Sequence, residues 1–256
     1  MSELLSCRDI GKAFGGIQAL TDVEFSIAPG EIYGLIGPNG AGKTTLFNVL
    51  TGIYAPDKGS FEFEGAQLAG LKPHEIVRRG IARTFQNIRL FANVSTLENV
   101  MIGRHARTRA GVLGAILRDA GTRREEADTE SRALALLDFV GLRARANDAA
   151  GQLAYGDQRR LEIARALATE PRLLAVDEPA AGMNASETQG LRELLREIRG
   201  RGITLLLIEH DMRLVMSLCD RLLVLDYGVK IAEGPPAAIQ ADPRVIEAYL
   251  GAPAAA

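Results

Sequence analysis

The sequence contains no tryptophan, and aromatic residues make up only 5% of its 256 positions. Its two cysteines, Cys7 and Cys219, lie far apart and outside any CxxC or Cys/His cluster. This pattern argues against a disulfide framework and against structural zinc, and it favours a reducing compartment. Basic and acidic residues nearly balance, 30 against 32, which leaves a formal net charge of −2. The composition therefore offers no basic footprint for duplex DNA or RNA.

Long apolar runs are missing too, although 47% of the residues are hydrophobic and can supply a sizeable core. The longest runs, such as residues 203–208, have the length of a strand, whereas a membrane-spanning helix needs about 18 or more apolar residues. The N-terminal residues include Glu3 and Asp9 and lack the basic and then apolar regions of a secretory signal. We therefore expect a cytoplasmic chain, which leaves docking onto a membrane protein possible.

The pattern of apolar residues divides the chain into three sections. Val23, Phe25 and Ile27 alternate with polar neighbours, and Phe61 and Phe63 repeat the alternation, which predicts an antiparallel β section. From residue 87 to about residue 150 the spacing becomes helical, with a helix expected over residues 125–140. From residue 153 on, helices alternate with buried strands at residues 173–177 and 205–209, which is typical of a mostly parallel sheet.

The predicted fold is therefore α/β, with a mostly parallel sheet, an antiparallel β section and a helical insert. We expect a discontinuous core domain formed by residues 1–86 and 151–256, and a separate helical insert at residues 87–150. The Ala-rich tail, residues 252–256, is expected to be frayed.

A glycine-rich loop carries the strongest functional signal. Residues 37–44 match G-x4-G-K-[ST] and lie between a predicted strand at residues 32–36 and a helix from residue 45, the context that the motif requires. Its glycines let successive amides point inward, so the loop and the following helix favour polyphosphate. We expect Lys43 to neutralise the β and γ phosphates and Thr44 to bind Mg²⁺. The expected nucleotide-binding residues of this segment are Gly37, Pro38, Asn39, Gly40, Ala41, Gly42, Lys43, Thr44 and Thr45.

Two adjacent carboxylates follow the apolar strand at residues 173–177, at the end of the sheet where ligands bind. Asp177 suits the magnesium shell, and Glu178 is placed to orient or deprotonate a water behind the γ phosphate. Taken alone, paired acids before Pro179 could equally cap the next helix. The phosphate loop favours the catalytic interpretation.

The order of these motifs resembles that of the nucleotide-binding subunits of ABC transporters over nearly the whole chain. This resemblance implies a P-loop NTPase fold of ABC type that binds and hydrolyses ATP with Mg²⁺. Gln86 stands where that family has the glutamine that senses the γ phosphate and contacts Mg²⁺, His210 where it has the switch histidine, and Phe14 where it has the aromatic that stacks on adenine. The resemblance thus implies four catalytic residues: Lys43, Gln86, Glu178 and His210. The LSGGQ signature, which acts on the ATP of a partner subunit, corresponds after Leu153 to Ala154, Tyr155, Gly156 and Asp157.

Within the family, the wording of residues 82–91, 155–156, 177–184 and 248–251 resembles the ATPase subunit of high-affinity branched-chain amino acid importers. The implied partners are a second ABC ATPase, identical or related, two membrane permeases and, indirectly, a periplasmic solute-binding protein; no nucleic acid is implied. The chain would then lie on the cytoplasmic face of the inner membrane. Residues 86–91 and the helical insert would dock the permease.

Two signature positions depart from the family pattern, because Ala154 replaces the serine and Asp157 replaces an uncharged glutamine. A lost hydroxyl bond to a charged phosphate costs about 1.5 to 3 kcal/mol, or a roughly 10- to 150-fold rate loss if fully expressed in the transition state. We therefore expect one of the two ATP sites to be weakened but active.

Three alternatives remain beside the importer. The ATPase of lipopolysaccharide export shares the tail wording and the general plan. A nucleotide-gated clamp with weak hydrolysis is suggested by Ala154 and Asp157, although Glu178 and His210 argue against it. A soluble ABC ATPase of DNA repair or translation is disfavoured, because the sequence has neither long heptad repeats nor a basic patch.

Overall fold

The computed structural model describes residues 3–107 and 120–250. The expected frayed tail and part of the expected helical insert lie outside these ranges. In the described residues, no helix combines the length and the apolar character needed to cross a bilayer.

The strands form two sheets. A four-stranded antiparallel sheet has the order β2-β1-β4-β5, with β1 at Leu5–Phe14, β2 at Ile17–Ile27, β4 at Lys58–Phe63 and β5 at Ala66–Gln67. A six-stranded sheet has the order β10-β9-β3-β8-β7-β6 and is parallel except for β10. Its strands are β3 (Ile32–Ile36), β6 (Ile81–Arg83), β7 (Leu173–Asp177), β8 (Thr204–Ile208), β9 (Arg221–Asp226) and β10 (Val229–Gly234). The α/β class with both sheet types is thus confirmed.

The described helices connect these strands and cover the larger sheet. Four of them precede the second half of that sheet: α1 (Lys43–Leu50), α2 (Pro73–Arg79), α3 (Thr96–Arg104) and α4 (Ala120–Phe139). Five follow: α5 (Tyr155–Leu167), α6 (Ala185–Gly200), α7 (Met212–Leu218), α8 (Pro236–Ala241) and α9 (Pro243–Leu250).

The parallel strands are buried on both faces, which explains their continuous apolar sequence. Along β3, Ile32 and Ile36 belong to one core cluster, whereas Tyr33 and Leu35 belong to the other. The first cluster joins the sheet to α3, α4, α5 and α6, and the second joins it to the antiparallel sheet and α1. The helical segment therefore shares a core with the sheet, and the boundaries of a separate insert stay a prediction.

Three predicted elements have different bounds in the structure. The helix expected from residue 45 begins at Lys43. The strand expected at residues 205–209 ends at Ile208, because Glu209 turns its buried carboxylate toward neighbouring backbone amides. The helix expected at residues 125–140 begins earlier, at Ala120, and ends at Phe139.

The strand order explains where the site lies. Because β3, β8 and β7 are neighbours and parallel, their carboxyl ends meet at one edge of the sheet. The glycine-rich loop follows β3, the pair Asp177 and Glu178 ends β7, and Glu209 and His210 follow β8. Residues that are far apart in sequence thus converge where open α/β sheets bind ligands.

Candidate functional site

The glycine-rich loop connects β3 directly to α1, and its shape depends on glycine at two positions. Gly37 has φ 151°, and a Cβ there would lie 2.1 Å from the carbonyl oxygen of Leu225. Gly42 caps α1 with φ 96°, and a Cβ there would lie 2.7 Å from the carbonyl oxygen of Ala19. The N-terminus of α1 has no side-chain cap, so its amides are available to an anion.

A cavity of about 470 Å³ opens over this loop. Its volume suits a small-molecule ligand. Of the predicted site residues, Gln86 and Glu178 face this cavity from the opposite side of the loop. The residues that line it are Ile17, Gln18, Ala19, Asn39, Gly40, Ala41, Gly42, Lys43, Thr44, Thr45, Gln86, Glu178 and Tyr227.

The Lys43 ammonium folds back into the loop. Its Nζ donates to the carbonyl oxygens of Gly37 at 2.6 Å and Pro38 at 2.8 Å. Burial lowers the pKa of Lys43, and the charges of Glu178 and Asp177 partly oppose that shift. The cation is therefore held between the loop and two carboxylates, where it can transfer its hydrogen bonds to phosphate oxygens.

Asp177 lies at the buried end of β7 and is 4% exposed. Burial raises its pKa to about 6; the Arg83 charge lowers this pKa, and the Glu178 charge raises it. A carboxylate this poorly solvated is stabilised by a bound cation. Thr44 is exposed at the start of α1, directly after the loop that follows β3.

The donor set fits Mg²⁺, which prefers oxygen ligands and is usually held by one or two carboxylates together with substrate phosphates. Asp177, Thr44 and Gln86 offer a carboxylate, a hydroxyl and an amide oxygen. Among the described residues, no group of three or more His, Cys, Asp or Glu side chains forms a metal cage. The set proposed here contains a single carboxylate, so phosphate oxygens would complete the coordination of the ion.

Glu178 is the meeting point of the residues expected to act on the γ phosphate. Gln86 Nε2 donates to Glu178 Oε2 at 2.8 Å, and His210 Nδ1 lies 3.7 Å from the same oxygen. The backbone of Glu178 is left-handed, with φ 43°, which is strained for a residue with a side chain. The structure thus brings Gln86, Glu178 and His210 together although they come from three separate segments.

Phe14 lies apart from the residues that line the loop cavity. It ends β1 and is 41% exposed; its ring packs edge-on against Tyr54, with a centroid distance of 5.0 Å. The Lys12 ammonium lies 5.5 Å from the Phe14 ring centroid. An exposed aromatic face therefore remains for a base, and its role in stacking on adenine stays a prediction.

The signature segment forms the start of α5. Ala154 is the N-cap and makes no side-chain cap, and Asp157 lies in the first turn. Gly156 is buried against α6, because a Cβ there would lie 3.0 Å from Glu187 Oε1. None of these residues lines the cavity over the chain's own loop. That the signature acts on the nucleotide of a partner subunit stays a prediction.

Sequence reasoning missed several polar residues beside the site. Burial lowers the pKa of Arg83 to about 10, and its guanidinium lies 4.4 Å from the ring centroid of Phe47 and 4.5 Å from that of Phe85. Glu209 is fully buried and accepts from the amides of Ala180 at 2.9 Å and His210 at 3.1 Å. Its position directly after a buried strand was the signal available in the sequence.

Two further missed residues, Arg159 and Glu162, lie on α5 one turn apart, with 3.4 Å between Arg159 Nη1 and Glu162 Oε2. Burial raises the pKa of Glu162, which also accepts from the Arg89 amide at 3.4 Å. Both side chains are almost fully buried. They anchor the segment around Gln86 to the signature helix.

Comparison with known proteins gives two family matches. The model of the ABC transporter family matches residues 20–181, and that of the branched-chain amino acid ATP-binding cassette transporter matches residues 229–255. The high-affinity branched-chain amino acid transport ATP-binding protein LivG of Escherichia coli K12 is 46% identical over 97% of this chain and 98% of its own length. The corresponding protein BraF of Pseudomonas aeruginosa is 43% identical over the same shares.

Solved structures agree with these sequence matches. A nucleotide-free ATP-binding cassette from an ABC transporter superposes with a TM-score of 0.86 at 34% identity, covering 98% of this chain and all of that one. The ADP conformation of a cassette of an ABC transporter gives a TM-score of 0.85 with the same identity and coverage. The similarity therefore extends over the whole cassette and is not confined to the phosphate loop.

Proposed function

The chain belongs to the ABC transporter family of ATP-binding subunits, and from this premise we propose that it hydrolyses ATP to drive an importer of branched-chain or other hydrophobic amino acids. The observation that carries the hydrolytic part is the contact of Gln86 and His210 with the Glu178 carboxylate beside the phosphate loop. The solute class rests on the similarity to the LivG and BraF proteins and on the match of residues 229–255.

In this mechanism the loop binds the polyphosphate before any chemistry occurs. The amides of residues 39–44 bind phosphate oxygens, and the Lys43 ammonium leaves the carbonyl oxygens of Gly37 and Pro38 to neutralise the β and γ phosphates. Phe14 packs against the adenine. These contacts fix the γ phosphate in front of Glu178 for in-line attack.

Glu178 then orients a water molecule and accepts its proton, while His210 and Gln86 hold the carboxylate and the γ phosphate in position. Mg²⁺, bound by Thr44, Asp177 and Gln86 together with the phosphates, supplies charge neutralisation when present. Asp177 takes part as a carboxylate, and because burial raises its pKa to about 6, the ion should bind less well as the pH falls toward that value.

The proposed assembly contains a second ABC ATPase, identical or related, and two membrane permeases, with a periplasmic solute-binding protein acting through the permeases. ATP would bind between the two ATPases, so that the signature of one closes over the nucleotide of the other. The chain would lie peripherally on the cytoplasmic face of the membrane, with residues 86–91 and the helical insert toward the permease.

The test is ATP hydrolysis and solute uptake by the complete transporter in proteoliposomes. We expect hydrolysis that requires Mg²⁺ and is stimulated by the solute-binding protein loaded with leucine, isoleucine or valine. Hydrolysis without stimulation by any apolar amino acid would remove the solute assignment and leave the ATPase assignment intact.

Glu178→Gln provides the sharpest variant for this test. The neutral isostere keeps the hydrogen bond from Gln86 but removes the base, so the turnover number should fall about 10²- to 10⁴-fold. Nucleotide affinity should be unchanged, and ATP-bound dimers should accumulate in size-exclusion chromatography. Glu197→Gln, on the exposed face of α6, is the matched control. Normal turnover by Glu178→Gln would show that another group activates the water.

A further inference from the structure

Tyr155 is a third departure from the LSGGQ pattern, at the position of the first glycine. It is 44% exposed at the first residue of α5, next to Ala154. A large aromatic ring at a position where the pattern has no side chain must fit against its surroundings. The ring and hydroxyl of Tyr155 meet Arg159 on the same helix and Gly182 in the loop after Glu178.

The Tyr155 hydroxyl is bonded to a buried arginine. Arg159, which is 3% exposed, donates from Nη2 to the Tyr155 hydroxyl oxygen at 2.9 Å. The same guanidinium donates from Nη1 to the carbonyl oxygen of Phe85 at 2.7 Å and from Nη2 to that of Gln86. One planar group therefore joins the signature to the segment that carries Gln86.

The Tyr155 ring lies against the loop after Glu178. A Cβ built on Gly182, which has φ 77°, would lie 3.3 Å from Tyr155 Cε1. The ring edge therefore lies close to this loop, and a side chain at Gly182 would crowd it. Tyr155 thus reaches the Gln86 segment through Arg159, on its own helix, and the loop after Glu178 through its ring edge.

The segment that carries Gln86 and the loop that carries Gly182 meet again at the Glu178 carboxylate. Gln86 donates to Glu178 at 2.8 Å, and Gly182 follows Glu178 by four residues. Tyr155 is therefore linked to Glu178 through Arg159 and Gln86: the backbone carbonyl of Gln86 accepts from Arg159, and its side-chain amide donates to Glu178. The ring contact at Gly182 closes the path.

We propose that Tyr155 is a positioning residue that couples the signature helix to Gln86, so that the signature facing the partner's nucleotide and the γ-phosphate site of this chain move as one unit. This inference rests on the proposed function. It assigns to the tyrosine a task that a glycine at that position does not perform, because glycine has neither a hydroxyl nor a ring.

The first test is Tyr155→Phe in the complete transporter. The variant keeps the ring contact and removes the hydroxyl, and the half-exposed position should let it fold normally. We expect the turnover number for ATP to fall about 3- to 10-fold with KM and the unfolding temperature unchanged, because binding depends on the phosphate loop. Tyr155→Gly, which also removes the ring, should lower turnover further.

Tyr33→Phe is the matched control, because it also removes a tyrosine hydroxyl bond, 2.7 Å long, to Glu233 between the two sheets. That variant should lower the unfolding temperature and leave turnover unchanged. It separates loss of a hydroxyl in general from loss of the coupling.

A second measurement distinguishes coupling from local structure. If Tyr155 acts through Gln86, then Tyr155→Phe should cost little further turnover in a Gln86→Ala background. Equal fractional losses in both backgrounds, or wild-type turnover by Tyr155→Phe alone, would overturn the inference while wild-type hydrolysis persists. Absence of hydrolysis in the wild-type complex would instead overturn the proposed function, and this inference with it.

Discussion

The phosphate loop and the signature segment are both turns that open a helix without a side-chain cap, yet different atoms fix their shapes. In the loop, Gly37 and Gly42 have backbone angles and close contacts that leave no space for a side chain. In the signature helix, the Arg159 side chain bonds the segment that carries Gln86, and the Tyr155 ring lies beside Gly182. The loop therefore depends on the absence of side chains at fixed positions, whereas the signature segment depends on the side chains that it carries.

The two regions should therefore respond differently to substitution. Changes in the loop should alter binding of the chain's own nucleotide and leave the rest of the molecule intact. Changes in the signature should alter turnover at the site that the partner's loop forms. Three variants, taken from the largest expected effect to the smallest, test the loop, the carboxylate at the end of β7 and the signature.

Lys43→Ala should weaken ATP binding about 100-fold, since two hydrogen bonds from a charged donor to phosphate are lost. The substitution removes a partly buried charge, so the nucleotide-free chain should stay folded. Circular dichroism checks this. Isothermal titration of the isolated chain measures the affinity. Lys58→Ala, at an exposed lysine on β4, is the control and should bind ATP normally. Unchanged affinity in Lys43→Ala would mean that the loop does not hold the polyphosphate.

The difference between the loop, which its glycines shape, and the signature helix, which distant side-chain contacts hold, also decides what the sequence could predict. The bounds of β3 and β7 and the loop between β3 and α1 follow from short apolar runs and from the glycine spacing. The contacts of Arg159 with Phe85 and Gln86 join residues more than 70 positions apart. No local pattern encodes them, because they exist only once α5 has packed beside the segment after β6. The same holds for Glu209, which meets the Ala180 amide only across neighbouring strand ends.

Asp177→Asn should stabilise the nucleotide-free chain at pH 7. Burial holds the folded-state pKa at about 6, above the ordinary 3.8, so the folded chain binds more protons than the unfolded chain between these values and loses stability as the pH rises through them. Asparagine removes the ionisation, and the free energy of unfolding at pH 7 should rise by about 1 to 3 kcal/mol. Below pH 4 the two proteins should differ little.

Urea unfolding at pH 4 and pH 7 measures this effect, with Asp138→Asn on the exposed face of α4 as the control. The same Asp177→Asn variant should lose Mg²⁺-dependent hydrolysis. A wild-type stability equal to that of the variant at pH 7 would show that the carboxylate is already compensated without a cation, and would weaken its assignment to the metal.

Ala154→Ser with Asp157→Gln should raise hydrolysis by about 2- to 5-fold at the site that uses this signature. The serine regains a donor to the γ phosphate, and the glutamine removes a negative charge near it. The gain should be smaller than the full worth of such a bond for two reasons. First, the uncapped amides of α5 already supply donors to the phosphate. Second, Asp157 interacts with the Arg145 cation: Asp148 contributes most to raising the pKa of Arg145, and Asp157 adds to it. The negative charge of Asp157 is therefore already partly balanced, and its removal changes less.

The effect should appear in trans, and the design must isolate it. In a complex with a related second ATPase, Glu178→Gln in this chain silences the site formed by its own loop, so the remaining turnover comes from the partner's loop and this signature. Adding Ala154→Ser and Asp157→Gln in that background should raise the turnover number with KM unchanged, because the partner's loop still sets the affinity. A flat or lower rate would mean that Ala154 and Asp157 are neutral variation, and that the side chains that matter in this segment are Tyr155 and Arg159.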